Sequence, residues 1–185
     1  MIFNKHSELA GQHAYLSASK HHWVNYDDEK FDRTLRTALA AQRGTDMHDL
    51  AHRMIKLRVK MERTTATLNQ YVNDCIGFKM VPEQLLVYSF NAFGTADAIS
   101  FRDNVLRIFD LKTGINPTSF RQLCIYAAFF CLEYGYKPEE IEIDLRIYQS
   151  DEVKQYTPEP EEIRFIMSQT VKYDSVIDVV RKEEL

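Results

Sequence analysis

The 185-residue chain lacks any run of about 18 or more apolar residues, which excludes a membrane-spanning helix. Its start, MIFNKHSELAGQ, has no apolar leader region. A soluble, intracellular, cytoplasmic protein without a membrane partner is therefore expected. Cysteine is scarce. The three residues, Cys75, Cys124 and Cys131, are odd in number and show no CxxC spacing, so they read as reduced core thiols rather than a disulfide frame or zinc site. Low-complexity segments, internal repeats and linkers are also missing, and one domain spanning 1–185 is the simplest organisation. Positive charge is not in excess: the net charge is −4. Tight, sequence-independent duplex binding therefore has no support from charge alone. The distribution is uneven. Residues 1–80 hold 12 Lys/Arg against 9 Asp/Glu, a balance of +3, and residues 81–185 hold 11 against 18, a balance of −7. Arg33, Arg36, Arg43, Arg53, Lys56, Arg58, Lys60 and Arg63 either give a helical layer a positive face or are ordinary solvated helix surface.

With 45% hydrophobic residues the chain can build a substantial core, and its apolar pattern orders the elements. Ser17 is placed to cap a helix reaching about Tyr26, and Asp27 or Asp28 another from about Glu29 to Gln42. Arg43-Gly44 suggests a break before a helix from about Thr45 to Lys60, and Thr65 to Ile76 reads as a further helix. Three strands follow at 84–91, 95–102 and 105–112. Pro117 is expected to open a long apolar helix to about Tyr134, 139–149 alternates as a strand, and Pro158-Glu159-Pro160 begins a final amphipathic helix. The fold class is α/β: a central mixed sheet flanked by helices, with an N-terminal helical layer.

Residues 94–112, GTADAISFRDNVLRIFDLK, carry the densest chemistry. Asp103-Asn104 reads as a tight hairpin turn, and Asp97 and Asp110 are equally far from it, so paired strands set them across from one another. Asp110 and Lys112 are two apart and share a face. Both interrupt an otherwise apolar strand, which is costly unless the charges are paired or bind something. Two carboxylates and a backbone carbonyl such as that of Leu111 suit Mg²⁺ or Mn²⁺, and a lysine beside them orients or deprotonates the attacking water. Gly114 follows at once and lets the backbone turn away, leaving the strand end open. His48 is either a further metal ligand or a surface or satisfied core histidine. Gln122 and Tyr126, at i and i+4, share a helix face and either reach the same phosphate, brace Lys112 or pack.

Gly44-Thr45-Asp46-Met47-His48, Gly94-Thr95-Ala96-Asp97, Asp110-Leu111-Lys112-Thr113-Gly114 and Gln122-Leu123-Cys124-Ile125-Tyr126 together resemble the PD-(D/E)XK nuclease superfamily, in its RecB-like and lambda-exonuclease-like branch. The branch carries a GxxxH helix, a GxxD strand, a D/ExK strand and a QxxxY helix in this order. Leu16 to Lys20 with Trp23 is similar to its first helix, and the match spans roughly residues 15 to 150.

The resemblance implies a restriction-endonuclease-like core and a Mg²⁺- or Mn²⁺-dependent deoxyribonuclease of exonuclease type, with one or two ions. His48, Asp97, Asp110 and the Leu111 carbonyl would be the metal ligands, and Lys112 the water-positioning group. Gln122 and Tyr126 would organise the site or touch the scissile strand. Ser17 and Ser19 would lie near a phosphate by analogy, although Ser17 reads first as a helix cap, and Glu83, placed before the first hairpin strand, would be a lesser candidate for a supporting acid. Only three cysteines are present, so the iron-sulfur cluster of some relatives is not expected. What is implied is a stand-alone nuclease of the kind found in phages and mobile elements. It would act on single-stranded DNA or duplex ends in recombination or repair, alone, as a homo-oligomer or with a recombination partner. Two other readings stand beside it: a non-catalytic nucleic-acid or protein-binding module on the same fold, and an RNA endonuclease.

Overall fold

The computed structural model describes residues 5–9, 11 and 14–184. The leader-free reading of residues 1–12 thus rests partly on positions 1–4, 10 and 12, which lie outside the described residues. The chain divides into two compact units, Met1–Arg43 and Gly44–Leu185.

The first unit is helical. A 3-10 helix at Ala18–Asn25 is kinked at Lys20, and Ser17 makes no side-chain cap bond. Its hydroxyl instead pairs with Ser19 Oγ at 2.8 Å, while its carbonyl accepts Trp23 Nε1 at 3.0 Å, so the expected Ser17 cap is replaced by a Trp-braced turn. Asp27 does cap the next helix: its Oδ1 accepts the Lys30 amide at 2.7 Å. That helix, α1 (Asp28–Leu57), runs through Gly44 without the expected break. A helical glycine costs about 1 kcal/mol relative to alanine. Its reason lies elsewhere in the fold, because a β-carbon at 44 would come 2.7 Å from Thr113 Oγ1.

In the second unit α2 (Thr67–Gly77) is followed by β1 (Val81–Ser89), β2 (Ala92–Arg102) and β3 (Val105–Leu111). Then come α3 (Arg121–Tyr134), a 3-10 turn at Pro138–Glu140, β4 (Glu142–Gln149), β5 (Glu152–Tyr156) and α4 (Pro160–Glu183). The five strands form one mixed sheet in the order β1-β2-β3-β4-β5, with β3 and β4 parallel and every other pair antiparallel. Parallel neighbours need a crossover, and α3 supplies it. The β2–β3 turn is Asp103-Asn104 as expected, both residues at positive φ (52° and 60°), the conformation a two-residue type I′ hairpin requires. A second such turn, Ser150-Asp151 (52° and 62°), leads into β5, a strand the sequence pattern does not suggest. Every residue of β5 is exposed, so it carries no apolar alternation. Its turn also serves α2, because Asp151 Oδ1 accepts both the amide and the hydroxyl of Thr67, at 2.8 and 2.9 Å.

Two apolar layers sandwich the sheet. On one side Leu106, Ile108, Ile143, Leu145 and Ile147 pack against Leu123, Ala127, Ile163 and Ile166 of α3 and α4. On the other, Phe109, Leu111 and Tyr148 meet Ala51, Ile55, Tyr71 and Val72. The alternation of these strand residues follows the period of two, and each fully buried large side chain contributes roughly 1.5–3 kcal/mol. Cys75, Cys124 and Cys131 are free and buried. Among the described residues no helix is long and apolar enough to cross a membrane.

Candidate active site

The β2–β3 register ends on the pair Ala98 and Phe109, and Asp97 and Asp110 are the next residues on their strands. Asp97 Oδ2 accepts the Leu111 amide at 3.0 Å, and His48 Nδ1 lies 3.5 Å from the same oxygen. Asp110 is only 3% exposed. Lys112 Nζ lies 3.0 Å from its Oδ1 and 2.9 Å from its Oδ2, but only the first contact is aligned as a hydrogen bond, so Oδ2 is buried without one. Burial pushes the Asp110 carboxyl above its ordinary range, the Asp97 charge adds to the shift, and Lys112 opposes both.

From Lys112 the polar chain continues outward. Its ammonium donates to Gln122 Oε1 at 3.1 Å, and Gln122 Nε2 donates to Tyr126 Oη at 3.0 Å. Gln122 thus braces Lys112. The helix bearing Gln122 and Tyr126 starts at Arg121 rather than Pro117. The intervening loop is held by Gln149, a buried residue of β4 that no sequence pattern marks. Gln149 Nε2 donates to the carbonyls of Gly114 and Asn116 at 2.6 and 2.8 Å, and its Oε1 accepts Thr118 Oγ1 at 3.2 Å. Gly114 is not in the left-handed region, so the turn there depends on Gln149 rather than on glycine's freedom. Lys112 N bonds Tyr148 O at 2.9 Å, which carries the β3–β4 ladder one residue past the strand's end.

Behind Asp97 a cavity of about 10 Å³, room for roughly one water, is lined by His48, Ala51, His52, Tyr71, Glu83 and Asp97. Glu83 lies within β1 rather than before it, in a left-handed conformation (φ 51°), with its Oε2 2.9 Å from His52 Nδ1. His52 sits one helical turn beyond His48, and that i, i+4 spacing is the one sequence signal that could have added it to the candidates. Burial pushes the Tyr71 phenol well above its usual range, with Cys75, Asp97 and Asp110 adding to the effect.

Among the described residues no three or more His, Cys, Asp or Glu side chains form a ready metal cage. The donors nonetheless suit a hard divalent cation. Mg²⁺ keeps several waters and takes one or two carboxylates rather than a full protein shell, and Asp110 Oδ2, which has only the unaligned Lys112 contact at 2.9 Å, is an acceptor of that kind. Compared with known proteins, this chain matches no family model, no curated protein and no solved structure.

Proposed function

We propose that the chain is a metal-dependent deoxyribonuclease of the PD-(D/E)XK type on a restriction-endonuclease-like core, acting as an exonuclease. One observation carries the reading: Asp110, Lys112, Gln122 and Tyr126 form one hydrogen-bonded chain that starts at a buried carboxylate, and Asp97 of a further ordered motif accepts the amide of Leu111 between Asp110 and Lys112.

His48, Asp97, Asp110 and the Leu111 carbonyl would hold Mg²⁺ or Mn²⁺, which supplies Lewis-acid polarisation of the phosphate and a water of lowered pKa. The chain's own groups do the positioning. Hydrolysis joins a water oxygen to phosphorus and breaks a P–O ester bond, so a donor is needed where charge gathers on the phosphoryl oxygens. Lys112 is that donor, aimed by Asp110 on one side and Gln122 on the other. Gln122 spends its carbonyl on Lys112 and its amide on Tyr126, so the phenol fixes the amide's orientation.

Labelled DNA and RNA of the same sequence, incubated with Mn²⁺ or with EDTA, test the proposal. DNA cleavage that requires Mn²⁺ supports it, RNA-only cleavage replaces it with the ribonuclease reading, and cleavage of neither removes it.

A further inference from the structure

A groove of about 360 Å³ runs beside this site, walled by the β1–β2 connection, α3 and α4. That size is in the range of small-ligand clefts. Its floor is apolar, from Ile125, Phe129 and Ile166, and three aromatic rings stand open on its walls. Phe93 and Phe165 are each 59% exposed and Tyr173 is 54% exposed, an unusual cost unless something covers them. Arg121 is the single cation among the lining residues and Asp174 the single anion. Asp174 is already engaged: its Oδ1 accepts Ser89 Oγ at 2.5 Å and Asn91 Nδ2 at 2.9 Å. Asn91 also donates to Asp178 at 3.0 Å, so the strand connection is pinned to α4 and the walls are set in advance.

The groove shares α3 and the start of β2 with the site. Arg121 and Ile125 line it, and their neighbours on α3, Gln122 and Tyr126, belong to the site. Phe93 lines it too, and the next residue, Gly94, lies against the Tyr126 ring.

We infer that this groove binds unpaired nucleobases of the strand being cut, stacking them on Phe93, Phe165 and Tyr173, with Arg121 on the adjoining phosphate. The inference rests on the nuclease reading and narrows its substrate to single-stranded DNA or a frayed end. Open aromatic faces accept any base because every base has a π-face, whereas a duplex stack keeps those faces covered. Arg121 gives the groove one cation for a phosphate, a contact that an apolar peptide would not use, while Asp174 is held by Ser89 and Asn91.

The test uses a 12-nucleotide single strand carrying one 2-aminopurine, alone and annealed to its complement, titrated in EDTA with the full chain. Wild type is expected to bind the single strand more tightly than the duplex and to change the 2-aminopurine fluorescence. Phe93→Ala and Tyr173→Ala should each weaken single-strand binding by about tenfold or more, and Phe93→Trp should restore it. Both positions are exposed, and unchanged thermal melting checks that the variants fold. Equal binding by wild type and both alanine variants, or a preference for duplex, overturns the inference. So does a change from dimer to monomer in Phe93→Ala with DNA binding intact, which would assign the face to a second copy. Mn²⁺-dependent cleavage is read separately: its presence with unaltered Phe93→Ala binding sinks only the groove, and its absence with ring-dependent binding sinks only the nuclease.

Discussion

A β-carbon on Gly94 would lie 2.9 Å from Cε1 of Tyr126, so the second strand of the sheet and the candidate-site helix meet where only a hydrogen fits. The same ring carries the hydroxyl that holds Gln122. Gly94→Ala is therefore expected to displace the phenol and loosen Gln122 and Lys112 in turn. Overpacking of this kind costs about 1–3 kcal/mol. A misplacement near 1 Å costs about 10²-fold in rate. Thermal melting with single-turnover cleavage would show a modest loss of Tm beside a much larger loss of activity.

Gly44 has a parallel relationship with Thr113. Gly44→Ala alone should gain little or lose stability, because the new methyl meets Thr113 Oγ1 at 2.7 Å. In a Thr113→Ala background the same change should recover the ordinary helix benefit of about 1 kcal/mol. Urea unfolding of the four chains of this cycle measures the coupling directly.

Gln149→Leu removes the amide that satisfies two carbonyls and a hydroxyl in the loop between Lys112 and α3. Gly114 and Asn116 are exposed, so water can replace part of the pairing and each lost hydrogen bond costs about 0.5–1.5 kcal/mol. Hydrogen exchange should quicken across residues 113–118 with little change in α2, and activity should fall although Gln149 bonds to none of Asp97, Asp110 or Lys112.

Asp110 gives a pH signature. The folded chain holds its proton to higher pH than the unfolded chain, so ionising it weighs against the fold. That penalty is absent below the ordinary carboxylate pKa of 3.8 and complete above the raised one. In EDTA, Asp110→Asn should thus melt higher than wild type at pH 7, and the gap should close as the pH falls toward 4. A constant gap at every pH would refute this assignment.

How much of this is legible in the chain depends on the range of the cause. The Asp103-Asn104 turn and the matching places of Asp97 and Asp110 on its two strands follow from local turn chemistry and a period of two, and both are readable. The continuity of α1 through Gly44 is not, because its reason is Thr113, far along the chain. Strand β5 is hidden by its own exposure, since a strand that buries nothing has no apolar signal. Gln149 escapes notice because one amide at the end of an apolar strand looks like a strand terminus, and its three partners come to it only when the loop folds over it. The four ordered motifs point to a site from the residues themselves, whereas the aromatic groove beside it arises from α3, α4 and the β1–β2 connection meeting in space.

In the proposed nuclease, Asp110 and Lys112 carry phosphodiester hydrolysis. Single-turnover cleavage of end-labelled single-stranded DNA in Mn²⁺, comparing wild type with Asp110→Ala and Lys112→Ala, tests it most directly. Wild type is expected to cleave, to lose cleavage in EDTA, and to exceed each variant by at least about 10²-fold while each variant still melts cooperatively. Equal cleavage by all three chains would contradict it.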